Sequence, residues 1–494
     1  MLKGAQIEVL TDKVYKLLAD IGIMVESEVL AEIILAKGGT AGADHRIRIP
    51  RELIEEMVAF QKKTQAQYDR DMELMPLFGP DWTHHIIWHK QQDQMRARYQ
   101  KEFIMQAFDC GPTLYYDYPT GQPQAVDNEI FDRMMKFAEA TPEIGYISTW
   151  YRQDVAPMLE RIDSLVRGLR LTRKVDGVEA IYPEVIKYLK EASEIITGRV
   201  GDSSYLAGSE CMTMPLILDR RSAEDILARK AAGVHRYHVA SMPTMGISTP
   251  VTLAGSIVMG AAEILGGMVA CWCADPESDL SGRMITLLAD MRNAQSTPTG
   301  PEACLYNMGV KQLFDACWGG HCMVEVFFSP VAQRPGLQAV FENFFGTYNR
   351  ARWEGQPDFP YAGMGTLKSG GLGSPTQFML DMEIRKAQWF DRTVKVDEET
   401  IDFAEICERI KGRNDFLSSE HTMRHFRKLW MSKLFLSDNP YGGAWDGTEK
   451  AILDKCEEMW RANLARWQPP VWPEDMLKAL DALVLRAKKE FSVN

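Results

Sequence analysis

The sequence predicts an α/β protein: a (β/α)8 TIM barrel with a mainly helical N-terminal region and a C-terminal helical extension. Three observations predict it. From residue 111 onward, runs rich in β-branched and aromatic residues alternate with amphipathic helical runs eight times in about 280 residues, the count and size of such a barrel. A long apolar run in the middle reads as a helix enclosed on most sides, as in a sheet-and-helix core. On either side of the alternating stretch the hydrophobic spacing is helical, which divides the chain into 1–110, 111–395 and 396–494.

The first part opens with Val9, Leu10, Val14, Leu17, Leu18 and Ile21 on one helical face, stopped by Gly22. A second helix runs to Gly38-Gly39, Arg46 to Ile49 form a short strand, and Pro50 begins a third helix. Residues 66–110 are irregular and hold His84, His85 and His89, whose spacing fits neither a helical i, i+4 pair nor a usual zinc site.

Strands are expected at 113–118, 145–150, 177–182, 204–211, 236–242, 279–285, 323–329 and 361–367. The helices between them are expected at 127–140, 157–172, 183–197, 221–232, 250–272, 300–317, 334–351 and 374–391. In the central unit Thr249 reads as an N-cap and Pro250 as the first helical residue. The run from Val251 to Trp272 is as long and apolar as a membrane span, but Glu263 and many small residues favour a buried core helix.

Beyond the barrel, 401–410, 448–467 and 474–491 read as helices, and Trp467-Gln-Pro-Pro-Val-Trp-Pro473 as a stiff turn. His421 and His425 have zinc-compatible i, i+4 spacing, although docking of the extension on the barrel explains them as well.

A net charge of -12 leaves no basic surplus to neutralise phosphates, so neither nucleic acid nor a membrane is an expected partner. The chain opens on an amphipathic pattern without a charged-then-apolar leader, and its nine cysteines form no framework. Both suit free thiols in the cytoplasm. Cys271-Trp272-Cys273 has the spacing of neither a redox pair nor a zinc knuckle and reads as buried thiols. The glycines at 363, 365, 370, 371 and 373 lack the lysine of a phosphate loop and read as a flexible barrel loop.

Ser248-Thr249-Pro250-Val251-Thr252-Leu253-Ala254-Gly255, followed by Ala262-Glu263-Ile264-Leu265-Gly266-Gly267, resembles the signature of the trimethylamine methyltransferase family, the amine-to-corrinoid methyltransferases. Residues 10–25, Ile49-Pro50-Arg51-Glu52-Leu53, Asp117-Tyr118-Pro119-Thr120-Gly121, Ser374-Pro375, 380–384 and 421–427 resemble further family motifs in family order. The resemblance implies a barrel enzyme that moves a methyl group from an amine to the cobalt of a corrinoid (cobamide) carried by a partner protein. Trimethylamine-specific members carry pyrrolysine near the end of the seventh strand, where this chain has only ordinary residues, 324–330. Members without it are associated with quaternary amines, so glycine betaine, giving dimethylglycine, is the expected substrate. Trimethylamine, carnitine and proline betaine remain alternatives, as does a non-catalytic binding protein for quaternary ammonium ions. A cognate corrinoid-binding protein and a homo-oligomer are the expected partners.

Displacement at a quaternary nitrogen releases a neutral amine and needs no general acid. The protein must orient one N-methyl group, exclude water and hold the cation on aromatic faces. The strand ends offer Tyr116 and Asp117, Trp150 and Tyr151, Tyr182, Phe327 and Phe328, and Tyr361 for that cage, although barrel strands also bury large rings for packing alone. Glu210, a carboxylate among small residues at a strand end, requires a cationic or polar partner and is the candidate catalytic residue. A betaine carboxylate would be met by Arg283, by the amides of the Thr244 to Ser248 loop, or by His238.

Overall fold

The computed structural model describes residues 1–43, 45–61, 105–108, 111–298, 300–318, 324–326, 330–354, 364–388, 394–435 and 449–492. It is a mixed α/β molecule organised on a parallel ladder that follows chain order. The ladder strands are β1 (Met105–Ala107), β2 (Ile144–Ile147), β3 (Val178–Glu179), β4 (Leu206–Ala207), β5 (Glu210–Met212), β6 (Arg236–Ser241), β7 (Asp279–Met284) and β8 (Val324–Val326). β1 pairs with β2, a parallel bridge joins Ile147 to Val175 just ahead of β3, and β3 pairs with β4. β5, β6, β7 and β8 then pair in succession, all parallel. On the other side of β1, Phe108 N–H donates to the Met364 carbonyl at 3.1 Å. No closed barrel is formed among the described residues.

Amphipathic helices separate these strands: α3 (Asn128–Ala140), α4 (Pro157–Leu169), α5 (Ile186–Thr197), α6 (Arg220–Ala231), α7 (Leu253–Ala274) and α8 (Pro301–Leu313), with α9 (Leu337–Glu354) and α10 (Pro375–Gln388) after β8. Asp127 caps α3 by accepting from Ile130 N–H at 2.8 Å, and Asp219 caps α6 by accepting from Ser222 N–H at 2.8 Å. α7 packs on β6 and β7 from one side and on α1 (Gly4–Asp20), α2 (Glu28–Ala36) and α8 from the others. It is the one helix among the described residues apolar and long enough to cross a membrane, and 89% of that window is buried inside the molecule. The run is therefore a core helix.

The N-terminal part is tied in by sheet pairing as well as packing. Ile23–Val25 pairs antiparallel with Arg46–Arg48 and parallel with Ile217–Leu218. At the other end of the chain, α14 (Glu449–Leu464) lies on α3 and α10, and α15 (Glu474–Glu490) lies on α4 and α5. The proline-rich turn between them is held by its tryptophans: Trp467 donates to the Leu171 carbonyl at 2.9 Å and Trp472 to the Leu169 carbonyl at 2.6 Å. The intervening helices are α11 (Glu398–Ile401), α12 (Phe403–Gly412) and α13 (Glu420–His425).

Three expectations are corrected. The run at 113–118 is not the first ladder strand. Leu114–Asp117 forms an antiparallel hairpin with Gln122–Ala125, and the strand beside β2 is Met105–Ala107. The Thr120-Gly121 turn brings the chain straight back, so this segment pairs locally. The central helix begins at Leu253 after Thr252, not at Pro250. Thr249 instead bonds the Ser256 hydroxyl at 2.9 Å. The glycine-rich stretch is ordered, with Thr366–Leu367 pairing antiparallel to Leu372–Gly373. The strand expected at 279–285 is present as Asp279–Met284, six residues long, between β6 and β8.

Candidate functional site

Past the ends of β3 to β7 lies a cavity of about 200 Å³. Its character is ionic. Arg161, Arg229, Arg236 and Arg283 line it, with Asp176, Glu179, His238 and Tyr151.

Each charged group is placed by a partner. Tyr151 donates its hydroxyl to Glu179 Oε2 at 3.1 Å, and Arg161 Cζ stacks 3.6 Å from the Tyr151 ring centroid. Arg161 in turn donates to the Thr149 side chain at 3.2 Å and the Trp150 carbonyl at 3.1 Å, and pairs with Glu160. Burial is the first cause that holds the Tyr151 hydroxyl protonated far above its ordinary range, reinforced by Glu179. Arg236 donates to the Ser203 and Leu206 carbonyls, at 3.2 and 2.9 Å. Cys211, also lining the cavity, is a thiol that burial pushes up to about 12.

Glu210 opens β5 and is 1% exposed. Its Oε1 sits 2.7 Å from Arg229 Nε, and its Oε2 accepts from the His238 N–H at 2.7 Å. Arg229 Nε is also 2.8 Å from Asp225 Oδ2, one helical turn earlier on α6. One guanidinium thus serves two buried carboxylates. Burial pushes Glu210 upward and Arg229 opposes it, while the two carboxylates outweigh burial at Arg229 and keep it charged. Glu210 does not line the cavity; it positions Arg229, which does. A glycine makes room for this: at Gly208 (φ +118°) a Cβ would lie 3.0 Å from Glu179 Cγ and 3.1 Å from Arg229 Nη2.

His238 and Arg283 both reach the cavity, from β6 and β7. His238 Nδ1 is 2.7 Å from Ser281 Oγ, and Ser281 donates to the Tyr237 carbonyl at 3.2 Å, which leaves its oxygen to accept from Nδ1–H. The loop amides proposed for a carboxylate are engaged elsewhere. Thr244, Gly246, Ile247 and Ser248 all donate within the loop itself, to the Ser248 hydroxyl and to the Thr249 and Thr244 carbonyls.

The other ring candidates go to different places. Trp150 is fully buried, 4.9 Å from the Phe108 ring centroid and against Tyr115, away from the cavity lining. Tyr116 packs on Leu367 and Leu372 beneath the hairpin, and Asp117 accepts from Thr120 Oγ1 at 2.6 Å in its turn. Tyr182 precedes a short helical turn and packs on the cluster around Val185 and Leu189. Phe327, Phe328 and Tyr361 lie outside the described residues, as do His84, His85 and His89. His421 and His425 stand with ring centroids 4.5 Å apart on α13, and Cys271 and Cys273 are buried free thiols.

Sequence reasoning passed over Arg161, Arg229, Arg236 and Glu179. Glu179 had a signal, an acid in an otherwise apolar strand run. Arg229 had a weaker one, its i, i+4 spacing to Asp225.

A model of the trimethylamine methyltransferase (MTTB) family matches residues 100–492, which include the whole ladder and every residue of the cavity. The chain belongs to the trimethylamine methyltransferase family. Among curated relatives, the family's trimethylamine methyltransferase MttB of Desulfitobacterium hafniense is 24% identical over 318 residues, 62% of this chain and 61% of the relative. A glycine betaine methyltransferase of Desulfitobacterium hafniense is 23% identical over 285 residues, 56% of each. A proline betaine:corrinoid methyltransferase of Eubacterium limosum is 22% identical over 277 residues, 55% of this chain and 53% of the relative. The chain thus spans between half and two thirds of the length of these three relatives.

Proposed function

We propose that this protein takes a methyl group from a small quaternary amine bearing a carboxylate, with glycine betaine the first candidate, and passes it to the Co(I) corrinoid of a separate protein. The reading includes a (β/α)8 barrel as the framework and the cytoplasm as its compartment. The observation that carries it is one cavity lined by carboxylates, a tyrosine ring and arginines together. That is a lining for a zwitterion. Family membership, relatives whose names include two betaine methyltransferases, and ordinary residues at 324–330 support the same choice.

The corrinoid would supply the nucleophile that accepts the methyl group. A cavity of about 200 Å³ suits a small amine and is far too small for a corrinoid ring, so the acceptor would approach from outside it. The chain's own work is to bind and aim. Glu179, Asp176 and the Tyr151 ring would hold the ammonium end. Arg236, Arg283 and His238 would hold the carboxylate, Arg283 being the group expected to pair with it. No proton has to move, because the leaving amine is neutral. Glu210 acts through Arg229, keeping that guanidinium fixed at the cavity wall.

The test mixes the protein with Co(I) cobalamin and a panel of glycine betaine, proline betaine, carnitine, choline and trimethylamine. Conversion of the Co(I) spectrum to methyl-Co(III) with the betaines, and release of dimethylglycine from glycine betaine, is the expected result. Conversion with trimethylamine alone would overturn the substrate class. Betaine binding by calorimetry, without conversion even when a cognate corrinoid protein is added, would leave a quaternary-ammonium binding protein.

A further inference from the structure

Of the residues that line the cavity, Met242 alone is exposed, at 51%, so the cavity opens beside it. The lining is graded toward that opening. Arg236, His238 and Ala240 alternate along β6 and Met242 follows the strand's last residue, so a guanidinium and an imidazole come first, then a methyl group, then a thioether. β7 repeats the order. His238 is level with Ser281 and Ala240 with Arg283, and the Ile285 N–H donates to the Ser241 carbonyl at 3.0 Å, which sets Ile285 at the level of Met242. At about 3.3 Å per residue, this uncharged outer level lies about 7 Å along the strand beyond Arg283. Tyr151, the ring of the lining, also lies beyond the end of its strand, since β2 stops at Ile147.

That order decides which way a zwitterion enters. A carboxylate set against Met242 and Ile285 finds no donor in either side chain, whereas Arg283 and Arg236 farther in supply charge-assisted hydrogen bonds. The methyl groups on an ammonium have the opposite preference. They offer no donor or acceptor, and they gain from contact with a branched hydrocarbon and a polarizable thioether. The ligand therefore goes in carboxylate first, with its N-substituents turned to the opening. A methyl acceptor too large for the cavity arrives at that same end.

On the reading of this cavity as a quaternary-amine site, we infer that Met242 and Ile285 determine its specificity: they form a collar around the ammonium substituents and set how large a group the nitrogen can carry beside the methyl to be transferred. Binding to the full chain tests this without cobalt. The readout is the calorimetric Kd of N-propyl-N,N-dimethylglycine divided by that of glycine betaine, two ligands that differ only at the nitrogen. Met242→Ala should lower this ratio about 10-fold, the worth of one to two methylenes in an apolar pocket, and Ile285→Ala should act in the same direction. Met242→Trp should raise the ratio, and Met242→Leu, close in volume, should restore the wild-type value. Circular dichroism should not change in the Met242 variants, because that side chain lies half in solvent. The ratio of choline to glycine betaine, which reports the inner end, should stay as in the wild type. A wild-type chain that binds neither ligand overturns the reading of the cavity and the inference with it. Glycine betaine binding with one size ratio in the wild type, Met242→Ala and Met242→Trp overturns the inference alone. So does a Met242 variant that shifts the choline ratio instead, since the carboxylate would then sit at the outer end.

Discussion

Trp150 and Tyr151 are consecutive in sequence, yet they belong to regions built on opposite principles. Trp150 goes inward to a cluster of rings with Phe108, Tyr115 and Phe378, where geometry and exclusion of water supply the stability. Tyr151 goes into a cavity whose walls are charged and where each group is held by an ion pair or a hydrogen bond. The ring cluster tolerates no added atoms: at Gly373 a Cβ would lie 2.3 Å from the Trp150 indole. The cavity keeps open space and spends its stability on holding charges apart from water. The rings therefore maintain the wall, and the ionic groups line the open space.

Removing a member of each region should break the two in different ways. Trp150→Ala, at a fully buried site, should destabilise the fold by about 3–5 kcal/mol and lower the melting temperature, with the KM of the surviving enzyme unchanged. Arg229→Met should cost a similar amount, about 3–5 kcal/mol, because it strands Glu210 and Asp225 as buried carboxylates without a cation. The distinguishing measurement is pH. The loss at Arg229 should shrink as the medium is acidified and the stranded carboxylates protonate, whereas the loss at Trp150 should not. Equal pH responses would erase the distinction drawn here.

The same contrast explains what the sequence made legible. Helices α3 to α10 follow from apolar spacing because each must bury apolar side chains on the ladder or on neighbouring helices, and the spacing records that demand. Seven ladder strands were legible for the same reason, in six runs, the expected strand at 204–211 spanning both β4 and β5. β1 was not: its run is short, and the longer hairpin run at 113–118 carries a stronger β pattern. The division between Trp150 and Tyr151 is hidden because both lie in the irregular stretch after β2, where no periodic pattern records which way a side chain faces. The arginines were hidden more deeply. Arg229 comes from α6 and Arg161 from α4, and only folding brings them to the strand ends.

Glu263 tests the core side of the comparison through titration. It is fully buried on α7, accepting from the Leu216 N–H at 3.0 Å and from the Ser241 hydroxyl, and burial pushes its carboxyl up to about 7 against those two hydrogen bonds. A raised carboxyl is more easily protonated folded than unfolded. Its contribution is therefore intact below about pH 4.5 and is lost as pH rises through about 7. Denaturant unfolding of the wild type should weaken by on the order of 3 kcal/mol from this group between those values, and Glu263→Gln should remove that fall. A mutant with the same pH slope as the wild type would place the charge elsewhere.

Smaller effects are expected in the cavity, where they read out on ligand rather than on fold. Arg283→Gln should raise the KM for glycine betaine about 10–100-fold, the loss of one charge-assisted pair of about 1.5–3 kcal/mol. Choline binding, which involves no carboxylate, should not change. Tyr151→Phe is the finest probe, since the ring and its stacking on Arg161 remain and only the hydrogen bond to Glu179 is lost. Its penalty in ligand affinity should be about 1 kcal/mol, a several-fold change, and should appear for choline and betaine alike because the ammonium end is common to both. If the Tyr151→Phe penalty instead tracked the carboxylate, the ammonium and carboxylate ends of the cavity would have to be exchanged.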